Sequence, residues 1–377
     1  MLFGLEMANK ERHFVINKRL SENLPVFGWV PRDWVSVVRF FAGATSSIRI
    51  GEFKASPERV FCSSSTAATS AVFLFVSFEF GRVAMLANGI GVEKYMELTG
   101  ERPTDFAILL PLQVRAFSKE QDRLDILHKL YLVSRRNELH RAPISDTPYG
   151  QTRILDLGTG TGIWSIDIAD KYPNAEVIGT DLSPIQPKWI PKNLQIRICD
   201  FESTWTLGQN SFDLIHMRNG VGSVSSWPSL YRNVFQHLKP GYGWFEQVEI
   251  DYEPRCDDGT MSPNSSLVSW YQYLADATER SGKPLRYQHK TGKMLADAGF
   301  TDIREVIIQV PYSPWSSDPH LKKIGSWYTL AMSEGLESLC IAPFNRIFGW
   351  DLEAINSFLG PVKKEMLSKK VHAYNNM

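Results

Sequence analysis

Cysteine is scarce in this chain: four residues in 377, at Cys62, Cys199, Cys256 and Cys340, with no C-x-x-C pair and no Cys/His cluster of metal-ligand spacing. That spacing excludes a disulfide framework and a structural zinc site, so no metal is expected, and it reads as free thiols in a reducing compartment. Net charge is also missing. Lysine plus arginine (41) balances aspartate plus glutamate (41), so no global field draws the molecule to nucleic acid or to an anionic membrane surface. The most apolar stretch, residues 71–90, approaches the ~20 residues that span a bilayer, but Glu79 and Arg82 sit in its middle and would be costly in lipid. It reads as a buried helix or strand pair, and no membrane partner is expected. The start shows no basic, apolar and small-residue succession of a secretory signal, so the expected location is the nucleus or cytoplasm, not the outside of the cell.

What is present is a hydrophobic fraction of 43%, enough for one large or two modest domains with a sizeable core. Residues 1–110 show no clear period, are interrupted by the Ser/Thr/Ala-rich patch at 63–70, and stay unassigned. From Lys119 the pattern changes. Leu124, Leu127, Leu130 and Tyr131 fall at helical spacing, with Glu120, Asp122, Arg123 and Lys129 expected on the opposite face. A linker is expected at 143–150. Strands then alternate with helical patterns: strands at 153–157, 176–180, 195–199, 212–216 and 244–250, with helices from Gly162 and at 228–238 between them. Helices at 266–280 and 288–298, a strand at 302–310 and helices at 320–339 and 351–370 complete the reading. This is an α/β domain over residues 111–377, a mostly parallel Rossmann-like sheet flanked by helices.

The chemistry sits after the first of those strands. Gly158, Gly160 and Gly162 form a glycine-rich strand-to-helix turn, which lets backbone approach a ligand and aims helix N-terminal amides at it. A dinucleotide fingerprint would need glycine at position 163, where Ile163 stands. That argues against a nicotinamide oxidoreductase. The G-x-G-x-G spacing preceded by Asp156 fits S-adenosylmethionine, whose cationic end an acidic side chain would attract. Asp181, about 20 residues on at the tip of the second strand, is placed to accept hydrogen bonds from ribose hydroxyls. Asp200, with Phe201 as an apolar wall, is the candidate for the adenine edge.

Methyl transfer is an in-line displacement that requires alignment more than acid–base groups. A base, where one is required, belongs at the carboxyl ends of the next two strands. His216 is the candidate general base there, beside Arg218, Asn219, Glu246, Gln247 and Glu249. A histidine ending a strand reads first as a satisfied structural group and second as that base, and either glutamate also reads as solvated. Residues 220–227 read as an adaptable substrate-side loop or as a long connection. Trp189, Trp205, Trp227 and Trp244 read as core first and as an aromatic acceptor wall second. The lysine pairs Lys363-Lys364 and Lys369-Lys370 read as a solvated helix face first and as a weak import signal second.

From Glu120 to Asn375 the sequence resembles the LaeA-like methyltransferases of filamentous fungi. The resemblance rests on Glu120-Gln121-Asp122-Arg123-Leu124-Asp125, the run from Leu155 to Trp164, Asp181-Leu182-Ser183-Pro184-Ile185-Gln186-Pro187, the run from Trp244 to Asp258, and Ala342-Pro343-Phe344-Asn345-Arg346. It implies a class I S-adenosylmethionine-dependent methyltransferase, and for one group of members a nuclear role with velvet-family proteins in governing secondary metabolism and development. Other members of this type look like tailoring enzymes for small-molecule secondary metabolites. A third reading is a regulatory subunit whose fold serves assembly rather than catalysis. The methyl acceptor, protein or small molecule, is not named by the sequence. Two departures set further expectations. Residues 1–110 lack the polar character of the regulators' leader. The chain also ends at residues 372–377, where the family continues into a last apolar strand, so an open edge or gap in the sheet is expected.

Overall fold

Short β-branched runs separated by amphipathic helices produce one layered α/β core, seen in a computed structural model that describes residues 14–17, 121–144 and 152–377. The expected features at 63–70 and 71–90, Cys62, and most of the 143–150 linker lie outside the described residues. The elements are β1 (Phe14–Asn17), a helix α1 over residues 121–134, β2 (Arg153–Leu157), α2 (Ile163–Lys171), β3 (Glu176–Asp181), β4 (Leu194–Ile198) and β5 (Leu214–Arg218). They continue as α3 (Trp227–His237), β6 (Trp244–Val248), β7 (Asp251–Arg255), α4 (Ser266–Arg280), α5 (Thr291–Asp297), β8 (Thr301–Arg304) and β9 (Gln309–Pro311). The last three are α6 (Pro319–Phe348), α7 (Leu352–Met366) and β10 (Tyr374–Asn376).

Seven strands form the main sheet in the order β4-β3-β2-β5-β6-β1-β8. β2 to β6 run parallel, and β1 runs antiparallel to both of its neighbours. Strand order reverses between β2 and β5, and ligands of open α/β sheets bind outside the carboxyl ends of the strands at such a point. The open edge or gap expected in the sheet is absent between β6 and β8, because β1 pairs with both. The chain's last residues are themselves a strand, β10, set between β7 and β9 in a separate three-stranded sheet. The single strand expected at 302–310 is two strands in different sheets, β8 and β9.

Side chains alternate along a strand, and the parity of the central strands divides the interior. Ile154, Val177 and Leu214 pack with Trp164 and Ile168 of α2. Leu155, Leu157, Ile215, Met217 and Phe245 point the other way, into the larger core with α1, α4 and α6. α1 buries Leu127, Leu130 and Tyr131 as its spacing predicts, but Arg123 is buried too. Its stem lies against Gly335 of α6, where an added Cβ would overlap Arg123 Cδ. Among the described residues no helix is long and apolar enough to cross a membrane, and no group of His, Cys, Asp and Glu could hold a metal ion.

Candidate functional site

β2 ends in a turn that only glycine adopts without strain: φ is +70° at Gly158, +58° at Gly160 and +81° at Gly162. The turn is fixed by Thr159 N–H donating to Thr180 O (2.8 Å) and Gly162 N–H to Thr159 O (2.9 Å). Gly158 and Gly160 line a cavity of about 320 Å³ at the switch point, inside the range of small-molecule sites. Gly162 instead caps α2 and lies against Gln186. A Cβ on Gly160 would stand 3.3 Å from Leu124 Cδ1, and one on Gly158 3.7 Å from Phe201 Cε1. The bare backbone is therefore what keeps this end of the hollow open.

Asp181, at the tip of β3, lines the same cavity. Its Oδ2 accepts from Gly160 N–H (2.8 Å) and its Oδ1 from Ser183 N–H (2.9 Å). Burial raises its pKa against the pull of those amides. Each carboxylate oxygen has a second lone pair, so hydroxyl donors of a sugar can still be accepted. Asp200 and Phe201, just past β4, line the hollow as well. A glycine turn, two strand-tip carboxylates and an aromatic wall opening on one hollow suit a nucleoside-like ligand without pyrophosphate, and the residues present fit S-adenosylmethionine.

α1 roofs the hollow with Arg123, Leu124, Leu127, His128 and Tyr131. It is tied to the mouth by Thr161 Oγ1 donating to Asp125 Oδ1 (2.8 Å) and Gln121 Nε2 donating to Ile185 O (3.2 Å). Sequence reasoning missed these roof residues, because helical periodicity sorts apolar from polar positions and not cavity-facing from core-facing ones. At the tip of β5, Asn219 holds a left-handed φ of +54° and its Oδ1 accepts from Tyr131 OH. Arg218 lies over the Tyr131 ring, 4.9 Å from its centroid. His128 contacts Asp167 Oδ2 through Nε2 (2.9 Å) and Arg218 Nη1 through Nδ1 (3.2 Å), so both ring nitrogens are engaged. Burial first, then the Arg218 charge, lower its pKa despite Asp167. The far wall is largely apolar, with Leu274, Leu285, Leu339 and Pro343.

Besides Gly162, two expected site residues stand elsewhere. His216 is fully buried, stacked on Trp164 with ring centroids 3.6 Å apart, and does not line the cavity. Its pKa falls to about 4 because burial outweighs the hydrogen bond to Asp156. Inside the sheet and off the cavity it is not placed to act as a general base there, and the structural reading of this histidine is the one its surroundings fit. The expectation failed because the strand was ended at residue 216, whereas β5 runs to Arg218 and carries His216 inside the sheet. Asp156 shares that interior: it pairs with His216 Nδ1 (2.9 Å) and does not line the hollow. Its carboxylate is not placed to attract a cationic ligand end.

Both glutamates of the β6 region are buried rather than solvated. Glu246 takes Arg135 and the amides of Arg141 (2.7 Å) and Ala142 (2.8 Å). Glu249 takes the amides of Gly220 (3.0 Å) and Val221 (3.1 Å). It thereby fixes the start of the 220–227 loop, whose Gly220, Val221, Gly222 and Ser223 line the cavity. None of Trp189, Trp205, Trp227 and Trp244 lines it. Trp189 is 93% exposed and Trp227 is core.

Comparison with known proteins gives the family. Residues 119–305 match a family described as a methyltransferase domain. The secondary metabolism regulator LAE1 of Cochliobolus heterostrophus is 54% identical over 260 residues, covering 68% of this chain and 85% of that protein. The secondary metabolism regulator laeA of Aspergillus flavus is 50% identical over 260 residues, covering 68% of this chain and 69% of that protein. The protein-methionine methyltransferase laeA of Emericella nidulans is 49% identical over 260 residues, covering 68% of both.

Proposed function

The chain belongs to the LaeA-type secondary metabolism regulators, a family of S-adenosylmethionine-dependent methyltransferases, and from that premise we propose how its residues divide the work and what they methylate. One observation carries the reading: the Gly158–Gly160 turn, Asp181, Asp200 and Phe201, from three strand tips, open on one cavity. In this reading Asp181 accepts from the ribose hydroxyls, Asp200 meets the adenine edge, and Phe201 walls the base. The two glycines let the main chain approach the amino acid end. S-adenosylmethionine supplies an electrophilic methyl group on its sulfonium.

The acceptor end of the cavity favours a nucleophile that has no proton to lose. His128 is held neutral with both nitrogens engaged. Burial raises the Tyr131 pKa, so its phenol stays protonated at neutral pH. The wall of Leu274, Leu285, Leu339 and Pro343 suits an apolar chain. A thioether meets both conditions, and protein methionine is the acceptor we propose, in line with the protein-methionine methyltransferase of Emericella nidulans that the chain resembles. In the cell this activity would serve the regulation of secondary metabolism, in a nuclear assembly with velvet-type partners.

Calorimetric titration should show heat with S-adenosylhomocysteine and none with NAD. Replacing Gly158 and Gly160 together by valine should abolish that heat, because two left-handed positions would carry β-branched residues at about 1–2 kcal/mol or more each. Transfer of a labelled methyl group to methionine peptides, but not to their norleucine analogues, is the expected acceptor result. Labelling of norleucine analogues would reject the thioether. A cellular role that survives the double valine change would favour the assembly reading over catalysis. Untargeted metabolite comparison should show many products altered in a deletion strain, whereas change in one product would mark a tailoring enzyme.

A further inference from the structure

Below the cavity floor lies a polar row that the methyl-transfer reading does not use. Asp156, His216 and Glu246 stand in register on β2, β5 and β6. They share the parity that faces α2. A buried polar row of this kind costs stability unless each member is satisfied, so its connections show what it does. The imidazole of His216 is clamped parallel to the Trp164 indole, with an interplanar angle of 4°. Its Nδ1 is 2.9 Å from Asp156 Oδ1. Ser165 Oγ is 2.9 Å from the other oxygen, Oδ2, and Thr159 Oγ1 is 2.8 Å from Ser165 Oγ.

Proton positions in this chain follow by elimination. Asp156 has its pKa lowered: burial opposes this, but the His216 hydrogen bond, the Arg218 charge and the Thr159 hydroxyl overcome it. It is an ionised group that can only accept. His216 therefore donates its Nδ1–H to Oδ1. Ser165 has one proton and gives it to Oδ2, which leaves the Thr159 hydroxyl to donate inward, to Ser165 Oγ or to the Asp156 carboxylate that it also reaches. Every proton points inward to one carboxylate. Thr159 lies between Gly158 and Gly160 and lines the cavity. With its hydroxyl proton turned inward, its side chain is latched to the sheet.

We infer that His216 is a positioning residue: clamped by Trp164, it fixes the Asp156 carboxylate and, through Ser165 and Thr159, the shape of the glycine turn that takes the cofactor. The inference rests on the cofactor reading above and deepens it by assigning the residue that sets cofactor affinity from outside the cavity. Asparagine at 216 keeps an amide N–H that can reach toward Oδ1, whereas leucine keeps the bulk and loses the donor.

The test is S-adenosylhomocysteine titration of the full chain with His216→Leu, His216→Asn and Ser165→Ala, each with a thermal melt. His216→Leu should weaken binding about tenfold, the effect of one charge-assisted hydrogen bond, and His216→Asn should return to within about threefold of the parent. Ser165→Ala should weaken binding about threefold to tenfold, and adding it to His216→Leu should cost less than the product of the two single effects. If His216→Leu does not fold, Ser165→Ala decides, because it removes the Ser165 arm of the latch while leaving the stacked pair in place. Unchanged affinity in Ser165→Ala, or an asparagine variant as weak as the leucine one, would overturn the inference. A parent chain that binds no S-adenosylhomocysteine would instead overturn the cofactor reading, and this inference with it.

Discussion

At the scale of single residues, spacing made one half of the site readable and parity hid the other. Gly158, Gly160, Asp181, Asp200 and Phe201 were found because a glycine turn and strand-tip acids recur at fixed intervals in sequence. His216 was misread because β5 runs two residues past its expected end and keeps that ring inside the sheet, and Asp156 because its parity on β2 turns it away from the hollow, toward His216. The buried state of His216 has a consequence in pH. Its folded pKa of about 4 lies below the ordinary histidine value of 6.5, so below pH 6.5 the unfolded chain binds a proton that the folded chain refuses. The stability this residue confers is complete above pH 6.5 and is lost as pH falls from 6.5 toward about 4. Urea midpoints of the parent chain should decline over that window, and His216→Asn, which has no proton to gain, should flatten part of the decline. Equal slopes in the two proteins would mean that other groups carry the acid sensitivity.

Elements were legible where amphipathic period or β-branched runs are strong, and blurred where one segment serves two structures. β2, α2, β3 and α4 lie within a residue or so of their expected bounds, whereas α6 runs through Pro343 to Phe348, past the expected stop at residue 339. Its packing against α4 and α7 sustains the helix across the missing N–H. The roof helix α1 was readable as a helix but not as a roof, because the anchor of its C-terminal end is a long-range pair. Arg135, 1% exposed, meets Glu246, 0% exposed, on β6. Removing one partner of such a pair leaves a buried charge uncompensated, at about 3–5 kcal/mol. Arg135→Met should therefore lower stability by that order in denaturant unfolding, and should weaken S-adenosylhomocysteine binding as α1 loosens. Adding Glu246→Met should restore only part of the loss, since the amides of Arg141 and Ala142 would then lack their acceptor. Full recovery in the double variant would show that the pair is isolated from the chain entering the domain.

For the whole molecule, closure depends on pairings between residues far apart in sequence, which local patterns do not encode. β1 is four residues long in a region without period, yet it joins β6 to β8 and continues the sheet. β10 was expected to be no strand at all, and Asn375 within it is fully buried. The Asn375 side chain accepts from Tyr328 OH on α6 at 2.7 Å and donates to Glu253 O on β7 at 2.9 Å. It thus joins the second sheet to the long helix whose Leu339 and Pro343 wall the cavity. Burial raises the Tyr328 pKa well above its ordinary value, so the phenol stays neutral and requires an acceptor. Asn375→Leu would leave the phenol and a main-chain carbonyl unsatisfied, about 1–3 kcal/mol each. The expected result is a lower urea midpoint with an unchanged slope, and S-adenosylhomocysteine affinity within about threefold of the parent, because the residues proposed to hold it belong to the main sheet. Tyr328→Phe removes the orphaned hydroxyl. Combined with Asn375→Leu it should therefore be less destabilising than the sum of the two single changes. Strict additivity would mean that the second sheet and α6 are held by apolar packing alone.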